Sequence, residues 1–218
     1  MRSIFSKFAF TVALMLALTF TFGCSPGGGG NSGSSGDSSG GTSSPSNGGG
    51  NNRCTDIANC KTKPIGSQVW LAENLNIEVS GSRCYNDDPA NCAKYGRLYD
   101  WATAMALDTN CNSTTCASQI DAKHKGICPS GWHIPSDDDW NVLMKLVNPN
   151  PSCSDNRHCD GGTKLKAREG WNSYSGVSPG TDEYGFSALP GGTGSSGGHF
   201  VYVGDIGWWW KFHEKIVT

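Results

Sequence analysis

The segment that most constrains the fold is a proline-bounded turn, residues 128–136, which leads directly into an amphipathic helix. Ser136 is a suitable N-cap, because its hydroxyl oxygen accepts a hydrogen bond from a first-turn N–H group. Asp139 stands three residues later, where a capping-box acid belongs. Four apolar residues then form one stripe at helical spacing: Trp140, Leu143, Met144 and Val147. Because the Asn-Pro-Asn-Pro sequence that follows cannot continue a helix, the pattern predicts one from Asp137 to about Val147.

The first 23 residues have the pattern of an export signal. Arg2 and Lys7 supply positive charge, and an uncharged apolar run follows from Phe8 to Phe22. This run is nearly long enough to span a bilayer, so an uncleaved anchor is the alternative. The junction of Gly23 with Cys24 resembles a bacterial lipoprotein cleavage site, after which Cys24 would carry acyl chains. We therefore expect an exported protein that is anchored by lipid at the outer membrane or the cell surface.

Composition divides the rest of the chain into a linker, residues 24–53, and one domain, residues 54–218. Between Ser25 and Arg53, 20 of 29 residues are Gly or Ser, so this stretch predicts a flexible tether. The 165 residues that follow are enough for one hydrophobic core. Without the leader, 15 basic residues stand against 19 acidic ones, a net charge of −4. No basic patch is present in the sequence, so we expect no nucleic-acid partner.

The cysteines of an exported chain indicate disulfides. Nine follow Cys24, and eight of them sort by proximity into pairs that each close a short loop: Cys54–Cys60, Cys84–Cys92, Cys111–Cys116 and Cys153–Cys159. Metal binding is the alternative, but the sequence contains no Cys-x-x-Cys pair and its five histidines are scattered. Pairing by proximity assigns no partner to Cys128, the remaining one of these nine cysteines.

Local patterns predict further short elements. Gln68–Leu71 and Tyr95–Tyr99 have the β-branched or aromatic content of strands, and Trp101–Leu107 is rich in helix-forming alanine. His199–Val203 alternates like a strand, and Trp208–Trp210 is predicted to begin another. Short helices and short strands that are not in regular alternation indicate an α+β domain.

Several motifs carry a resemblance to a known family. They are Gly66-x-Gln-x-Trp-x-Ala-Glu-Asn-Leu-Asn76, Tyr95-Gly-Arg-Leu-Tyr-x-Trp101, Cys128-Pro-x-Gly-Trp-His-x-Pro-Ser-Asp-x-x-Trp140 and Asp182-x-x-Gly-Phe-Ser-Ala-Leu-Pro-Gly-Gly192. In this order they resemble the Fibrobacter succinogenes major paralogous domain family. The resemblance implies a disulfide-rich, C-type-lectin-like domain with short helices and small antiparallel sheets, related to formylglycine-generating enzymes.

The chain departs from this family pattern at its end. Family members usually continue after a Trp-Trp pair with further strands and a closing Ser-Val-Arg-Cys segment, whereas here a different tail, residues 211–218, follows Trp210. By analogy with C-type lectins, the absent cysteine would pair with Cys128. The resemblance therefore implies a domain lacking its C-terminal strands, with Cys128 as a free thiol and an uncovered sheet edge.

The first candidate site is aromatic and comprises Trp208, Trp209 and Trp210 together with Tyr202. In a strand, Trp208 and Trp210 would share one face while Trp209 took the other. Solvent-facing aromatic rings suit the apolar faces of sugars, and an exposed patch of them often marks a binding site. The alternative is that these rings pack the core.

Two other groups of residues have side chains of the types found in metal or catalytic sites. Calcium prefers oxygen ligands on loops, and loop carboxylates occur at Asp137, Asp138, Asp139, Asp155, Asp160, Asp182 and Glu183. No EF-hand or calcium-lectin signature accompanies them, so helix caps and solvated loops are favoured and no cofactor is predicted. The formylglycine-generating relatives use a reactive C-terminal cysteine pair, and this chain has no cysteine after Cys159. His133 is predicted to be a packed turn residue, and no nucleophile motif indicates an enzyme.

We therefore expect a surface-anchored, non-catalytic binding or adhesion lipoprotein, with carbohydrate or plant-fibre polysaccharide as the ligand class. The first alternative is a structural surface protein that binds another protein. The second is a relative of the formylglycine-generating oxidases.

Overall fold

The structure is a computed structural model, which describes residues 18–19, 24–26, 60–149, 161–173, 179–195 and 197–212. These residues form an α+β domain. The described helices are α1 (Pro89–Tyr95), α2 (Trp101–Ala104), α3 (Asp137–Val147) and α4 (Gly161–Leu165). The described strands are β1 (Leu18–Thr19), β2 (Ser25–Pro26), β3 (Thr62–Ile65), β4 (Gln68–Leu71), β5 (Trp132–His133), β6 (Thr193–Ser195) and β7 (Phe200–Val201). None of the described helices is long and apolar enough to cross a membrane.

The strands pair in three small antiparallel sheets. β3 and β4 form a hairpin in which Ile65 lies opposite Gln68, so the turn has only two central residues. Gly66 occupies this turn with φ of +61°, a conformation that costs glycine little. The other sheets have the orders β1-β6-β7 and β2-β5, and each joins a segment near the N-terminus to a later strand. The α+β prediction is therefore confirmed.

The central helix is confirmed at both of its predicted ends. α3 runs from Asp137 to Val147, and its capping box is complete. The Ser136 hydroxyl accepts from the backbone N–H of Asp139 at 3.2 Å, while the Asp139 carboxylate accepts from the Ser136 N–H at 2.9 Å. Leu143 and Val147 are completely buried, as the apolar stripe requires.

The described residues contain two hydrophobic clusters, and α3 packs into the second of them. The first contains Cys24, Leu71, Leu75, Tyr99, Ala104, Met105, Cys128, Ile134 and Phe212. The second contains Ile65, Trp70, Leu143, Val147, Leu165, Phe186 and Ala188. In the second cluster, the rings of Trp70 and Trp140 lie 4.9 Å apart, and Phe186 lies 5.7 Å from Trp70. Fully burying side chains of this size stabilises a fold by about 1.5–3 kcal/mol each.

Several predicted elements are wrong or shorter than predicted. Tyr95 is the last residue of α1, which Asp88 caps and Pro89 begins, so Tyr95–Tyr99 is not a strand. The helix predicted for Trp101–Leu107 ends at Ala104. The strand predicted for His199–Val203 is reduced to β7, because Tyr202 has φ of +66° and leaves the extended conformation. Trp208–Trp210 does not form a strand, and only Trp209 of the three lies in an isolated β-bridge.

Two of the predicted disulfides are present in the structure. Cys84 is bonded to Cys92 and Cys111 to Cys116, each across a short loop. Cys60 is also disulfide-bonded. Cys54, its predicted partner, and the predicted pair Cys153–Cys159 lie outside the described residues.

The prediction that Cys128 is unpaired is wrong for this structure. Cys128 is bonded to Cys24 across a sequence separation of 104 residues, and both cysteines are completely buried in the first cluster. Pairing by proximity could not find this bond, because Cys24 had been assigned to lipid. Residues 24–26 of the predicted linker therefore belong to the folded domain.

This bond also bears on the lipidation prediction. A sulfur atom in a disulfide cannot carry a thioether-linked lipid, so the structure represents a form of the chain in which Cys24 is not acylated. Lipid attachment at Cys24 remains a prediction about another form of the same chain.

Candidate functional site

Two of the three predicted binding tryptophans pack against the hydrophobic clusters. The Trp209 ring lies 6.4 Å from Phe186, edge to face, on the second cluster. The Trp210 ring lies 5.4 Å from Trp101 on the first cluster, and its indole N–H donates to the Tyr99 carbonyl at 2.9 Å. Trp208 is also partly buried. The packing alternative therefore describes Trp209 and Trp210 better than an exposed sugar-binding face does.

Tyr202, the fourth predicted residue, is presented differently. Its side chain is 56% exposed, and it follows the exposed Val201 at the end of β7. Its backbone has φ of +66°, in the left-handed region that residues with a Cβ atom rarely occupy. Such a conformation costs of order 1–3 kcal/mol and persists only where the surroundings impose it. Here the Tyr202 carbonyl accepts from the N–H groups of Asp205 and Ile206, at 3.1 and 3.0 Å.

Hydrogen bonds from both sides fix the turn that follows, residues 202–206. The Gly204 N–H donates to the Pro190 carbonyl at 3.0 Å, and the Gly192 N–H donates to the Ile206 carbonyl at 2.8 Å. The Asn172 N–H donates to the Gly204 carbonyl at 2.8 Å. These bonds therefore fix the backbone at Tyr202, and the residue itself is mostly exposed.

Polar groups that suit sugar hydroxyls lie on the same turn. The side-chain amide of Asn172 donates to the Asp205 carboxylate at 3.0 Å, and this pair is exposed. An amide and a carboxylate offer both donors and acceptors, which hydroxyl groups need. The structure, and not a sequence motif, places Asn172 beside this turn.

A second group of side chains adjoins the turn. Phe200 on β7 lies 5.3 Å from the Tyr85 ring, and the Arg83 guanidinium lies 4.7 Å above Phe200. Arg83 also donates twice to Asp87, at 3.0 and 2.6 Å, and this hydrogen bonding lowers the pKa of Asp87 below its usual range. We call the accessible residues of this group, together with those of the turn, the aromatic surface; its members are Arg83, Asp87, Asn172, Phe200, Val201, Tyr202 and Asp205, and the buried Tyr85 ring packs against Phe200.

Gly192 joins the two parts of the aromatic surface. A Cβ atom at this position would lie 2.7 Å from the Val201 carbonyl and 2.9 Å from the Tyr85 ring. Its φ of +70° also favours glycine. Only glycine at position 192, the last residue of the motif, therefore lets the strand, the turn and the ring approach so closely.

His133 belongs to the interior and not to a catalytic site. It is 3% exposed, and its Nε2 lies 3.1 Å from an Asp139 carboxylate oxygen. Ser136 donates its hydroxyl hydrogen to the same oxygen at 2.8 Å and not to His133. Because Ser136 is also buried, no serine–histidine pair is presented to a substrate. The structure thus agrees with the prediction of a packed, hydrogen-bonded turn residue.

Most of the described carboxylates that were candidates for calcium make local contacts instead. Asp137 forms an ion pair with Lys211, and Asp182 accepts from the N–H and hydroxyl of Ser187 at 2.7 and 2.8 Å. Asp138 is exposed in the first turn of α3, and Glu183 lies beside Thr181. Asp155 and Asp160 lie outside the described residues. Within the described ranges, no group of three or more His, Cys, Asp or Glu side chains is placed to hold a metal ion.

A groove that the sequence did not reveal lies beside α3. It has a volume of about 350 Å³ and is lined by Ile65, Gly66, Ser67, Val142, Lys145 and Leu146. Val142 and Leu146 are 45% and 42% exposed, although they belong to the same helix as the buried stripe. We call this the α3 groove.

The fold and the aromatic surface define a disulfide-bonded α+β domain with a rigid, solvent-facing tyrosine. The family model described as the Fibrobacter succinogenes major domain matches residues 64–216, more than half of the chain, and the chain belongs to that family. The match includes most of the tail for which we expected no correspondence. No curated protein and no solved structure matches the chain.

Proposed function

We propose that this chain is an exported, non-catalytic binding protein whose C-type-lectin-like domain binds carbohydrate, with plant-fibre polysaccharide as the ligand class. The observation that carries the proposal is Tyr202, an exposed aromatic ring on a backbone that the fold holds in a strained conformation. Strain of this kind is retained where a fixed side-chain direction has a use.

The chemistry of the aromatic surface suits a sugar ligand. The face of a pyranose ring presents C–H groups that stack on an aromatic ring, while its edge presents hydroxyl groups. Tyr202 supplies the ring, and the exposed Asn172–Asp205 pair supplies a donor and an acceptor on the same turn. Because the turn is already rigid, binding need not order it, and less entropy is lost on association.

Export and surface display form part of the same proposal. The leader, residues 1–23, and the Gly/Ser-rich stretch after it support secretion followed by tethering at the cell surface. Where Cys24 is acylated, the tether would hold the domain on the order of 30 Å from the membrane. Anchoring at Cys24 applies only to molecules without the Cys24–Cys128 bond.

Retention on insoluble polysaccharides tests the ligand class. The purified protein is incubated with cellulose, xylan and pectin, and the bound fraction is compared with that of Tyr202→Ala. Losing one stacked ring should weaken binding by about 1.4 kcal/mol, which is about tenfold. Leu146→Ala is the matched control, because it truncates an exposed side chain in the α3 groove, away from the aromatic surface.

The α3 groove supports a second candidate, a structural protein that binds another protein. Val142 and Leu146 present apolar area beside Ile65, and such patches occur at protein interfaces. A chain that binds none of the three polysaccharides would favour this candidate. No described residue supports the oxidase alternative. That chemistry uses a reactive cysteine pair, and each described cysteine is disulfide-bonded.

A further inference from the structure

We infer that Cys24 is a branch point between two forms of this protein. In one form its sulfur is bonded to Cys128 and closes the domain; in the other it carries lipid, and Cys128 is a thiol. The second form rests on the lipid anchoring proposed above, whereas the first rests on the structure alone.

The closed form gives Cys24 a built site in the domain. β2 lies antiparallel to β5, with Ser25 opposite His133 and Pro26 opposite Trp132. The Ser25 hydroxyl donates to the Val69 carbonyl of β4 at 3.4 Å. Cys24 is completely buried, and Ser25 is 3% exposed. The segment is thus a short closing strand, fixed on β5 by its backbone and to Cys128 by a covalent bond.

The partner cysteine is equally well placed. Cys128 opens the turn that leads into β5 and α3, and its N–H donates to the Lys125 carbonyl at 3.1 Å. It is completely buried in the first cluster beside Ile134 and Tyr99. The Cys24–Cys128 bond therefore joins the beginning of the chain to the turn around which the domain is organised.

The two fates of Cys24 exclude each other chemically. Disulfide formation removes both thiol protons and two electrons, which a protein or small-molecule disulfide accepts as it is reduced to two thiols. Lipid attachment instead forms a carbon–sulfur bond to a diacylglyceryl group of a phospholipid. The headgroup phosphate leaves with the thiol proton, and no electrons are transferred. A molecule that has closed the bond has no thiol to acylate, and the burial of Cys24 also keeps an acylating enzyme away.

The chain favours closure within one molecule. The Gly- and Ser-rich composition of residues 27–53 predicts a tether between β2 and the domain that begins near Cys60. A tether of this kind gives an effective concentration of order millimolar. Cys24 therefore meets its own Cys128 far more often than that of another chain.

The experiment follows the thiol of Cys24 in the full-length chain. The chain is expressed in a bacterium with an oxidising periplasm and a lipoprotein pathway, and membrane and soluble fractions are separated. Each fraction is blocked with a thiol reagent and digested without reduction, and its peptides are weighed by mass spectrometry. Cys128→Ser is compared with wild type, and Cys116→Ser is the matched control, since it breaks a disulfide elsewhere.

We expect wild type to contain both forms. Some molecules should yield one linked peptide containing Cys24 and Cys128, and others should yield acylated Cys24 with blocked Cys128. Cys128→Ser should at least double the acylated fraction, whereas Cys116→Ser should leave it unchanged. Because Cys128→Ser could be degraded if it folds poorly, wild type grown with a membrane-permeant thiol reductant provides a second measurement and should show the same rise.

Three results would overturn the inference. The first is that no wild-type fraction contains the linked peptide. The second is that neither Cys128→Ser nor the reductant changes the acylated fraction, and the third is that Cys24 is acylated in no sample. The last result would also remove the lipid anchor. Polysaccharide retention is measured separately on the purified protein, so a failure of the binding proposal would be recognised independently of the state of Cys24.

Discussion

Changing Asp139 to Asn should destabilise the domain in a way that depends on pH. Asp139 closes the capping box of α3, and one of its oxygens accepts from both the N–H and the hydroxyl of Ser136. The same oxygen lies 3.1 Å from Nε2 of His133. Burial raises the pKa of Asp139, but the hydrogen bonds with His133 and Ser136 outweigh it and lower the pKa to about 2. The folded state therefore stabilises the ionised carboxylate.

The size of the effect follows from this pKa. A fall from the ordinary value of 3.8 to about 2 corresponds to about 2.4 kcal/mol, at 1.36 kcal/mol per pH unit. The Asp139 side chain is 22% exposed, and solvent screening reduces the contribution, so we expect about 1–2 kcal/mol. Because the folded-state pKa is depressed, this stabilisation is complete above the unfolded pKa and is lost as pH falls from about 4 towards 2.

Urea unfolding followed by tryptophan fluorescence measures the difference, at pH 7 and at steps down to pH 2. Asp139→Asn should be less stable than wild type by about 1–2 kcal/mol at pH 7, and the gap should narrow as pH approaches 2. Asp138→Asn is the matched control, because Asp138 is exposed in the same helix turn. Equal losses for the two variants, or a gap for Asp139→Asn that does not change with pH, would refute the reasoning.

Three further predictions concern packing, and urea unfolding at pH 7 checks each of them. Leu143→Ala should lower the free energy of unfolding by about 2–5 kcal/mol, because Leu143 is completely buried. Val142→Ala changes an exposed neighbour on the same helix and should alter this free energy by no more than about 0.5 kcal/mol. Similar losses for the two variants would contradict the assignment of the buried face of α3. Gly180→Ala should lower the free energy of unfolding by about 1–3 kcal/mol, because the added Cβ atom would lie 2.0 Å from a backbone carbonyl oxygen. The Cβ atom added by Gly162→Ala on α4 has no neighbour within 4 Å, so this variant should be more stable than wild type by about 0.5–1 kcal/mol. Trp210→Ala should lower the free energy of unfolding by about 3 kcal/mol, because it removes the contact with Trp101 and the hydrogen bond to Tyr99. An unchanged stability would mean that Trp210 is not needed for packing and is again a candidate for ligand binding.

Local signals predicted the parts of the fold that depend on neighbouring residues. The cap, the apolar stripe and the proline stop of α3 all lie between Ser136 and Pro151, and the structure has the helix at the predicted bounds. The Cys84–Cys92 and Cys111–Cys116 bonds join cysteines that are close in sequence, so proximity identified them. The family motifs likewise lie in short, continuous runs.

Long-range contacts account for what the sequence could not reveal. The partner of Cys128 lies 104 residues away, beyond a stretch whose composition indicates only a tether. The strand predicted at Tyr95–Tyr99 failed because Asp88 and Pro89 start a helix just before it. For Tyr202, the sequence indicated an aromatic residue, but only the structure shows that backbone bonds to the turn hold it with a positive φ.

The most direct test of the account is a binding isotherm on insoluble polysaccharide for wild type, Tyr202→Phe and Tyr202→Ala. The phenylalanine variant keeps the ring and loses only the hydroxyl, so it should bind within about twofold of wild type. The alanine variant should bind about tenfold more weakly while unfolding at the same urea concentration, because Tyr202 is mostly exposed. If wild type binds none of cellulose, xylan and pectin, or if Tyr202→Ala binds as tightly as wild type, the aromatic surface is not a carbohydrate site.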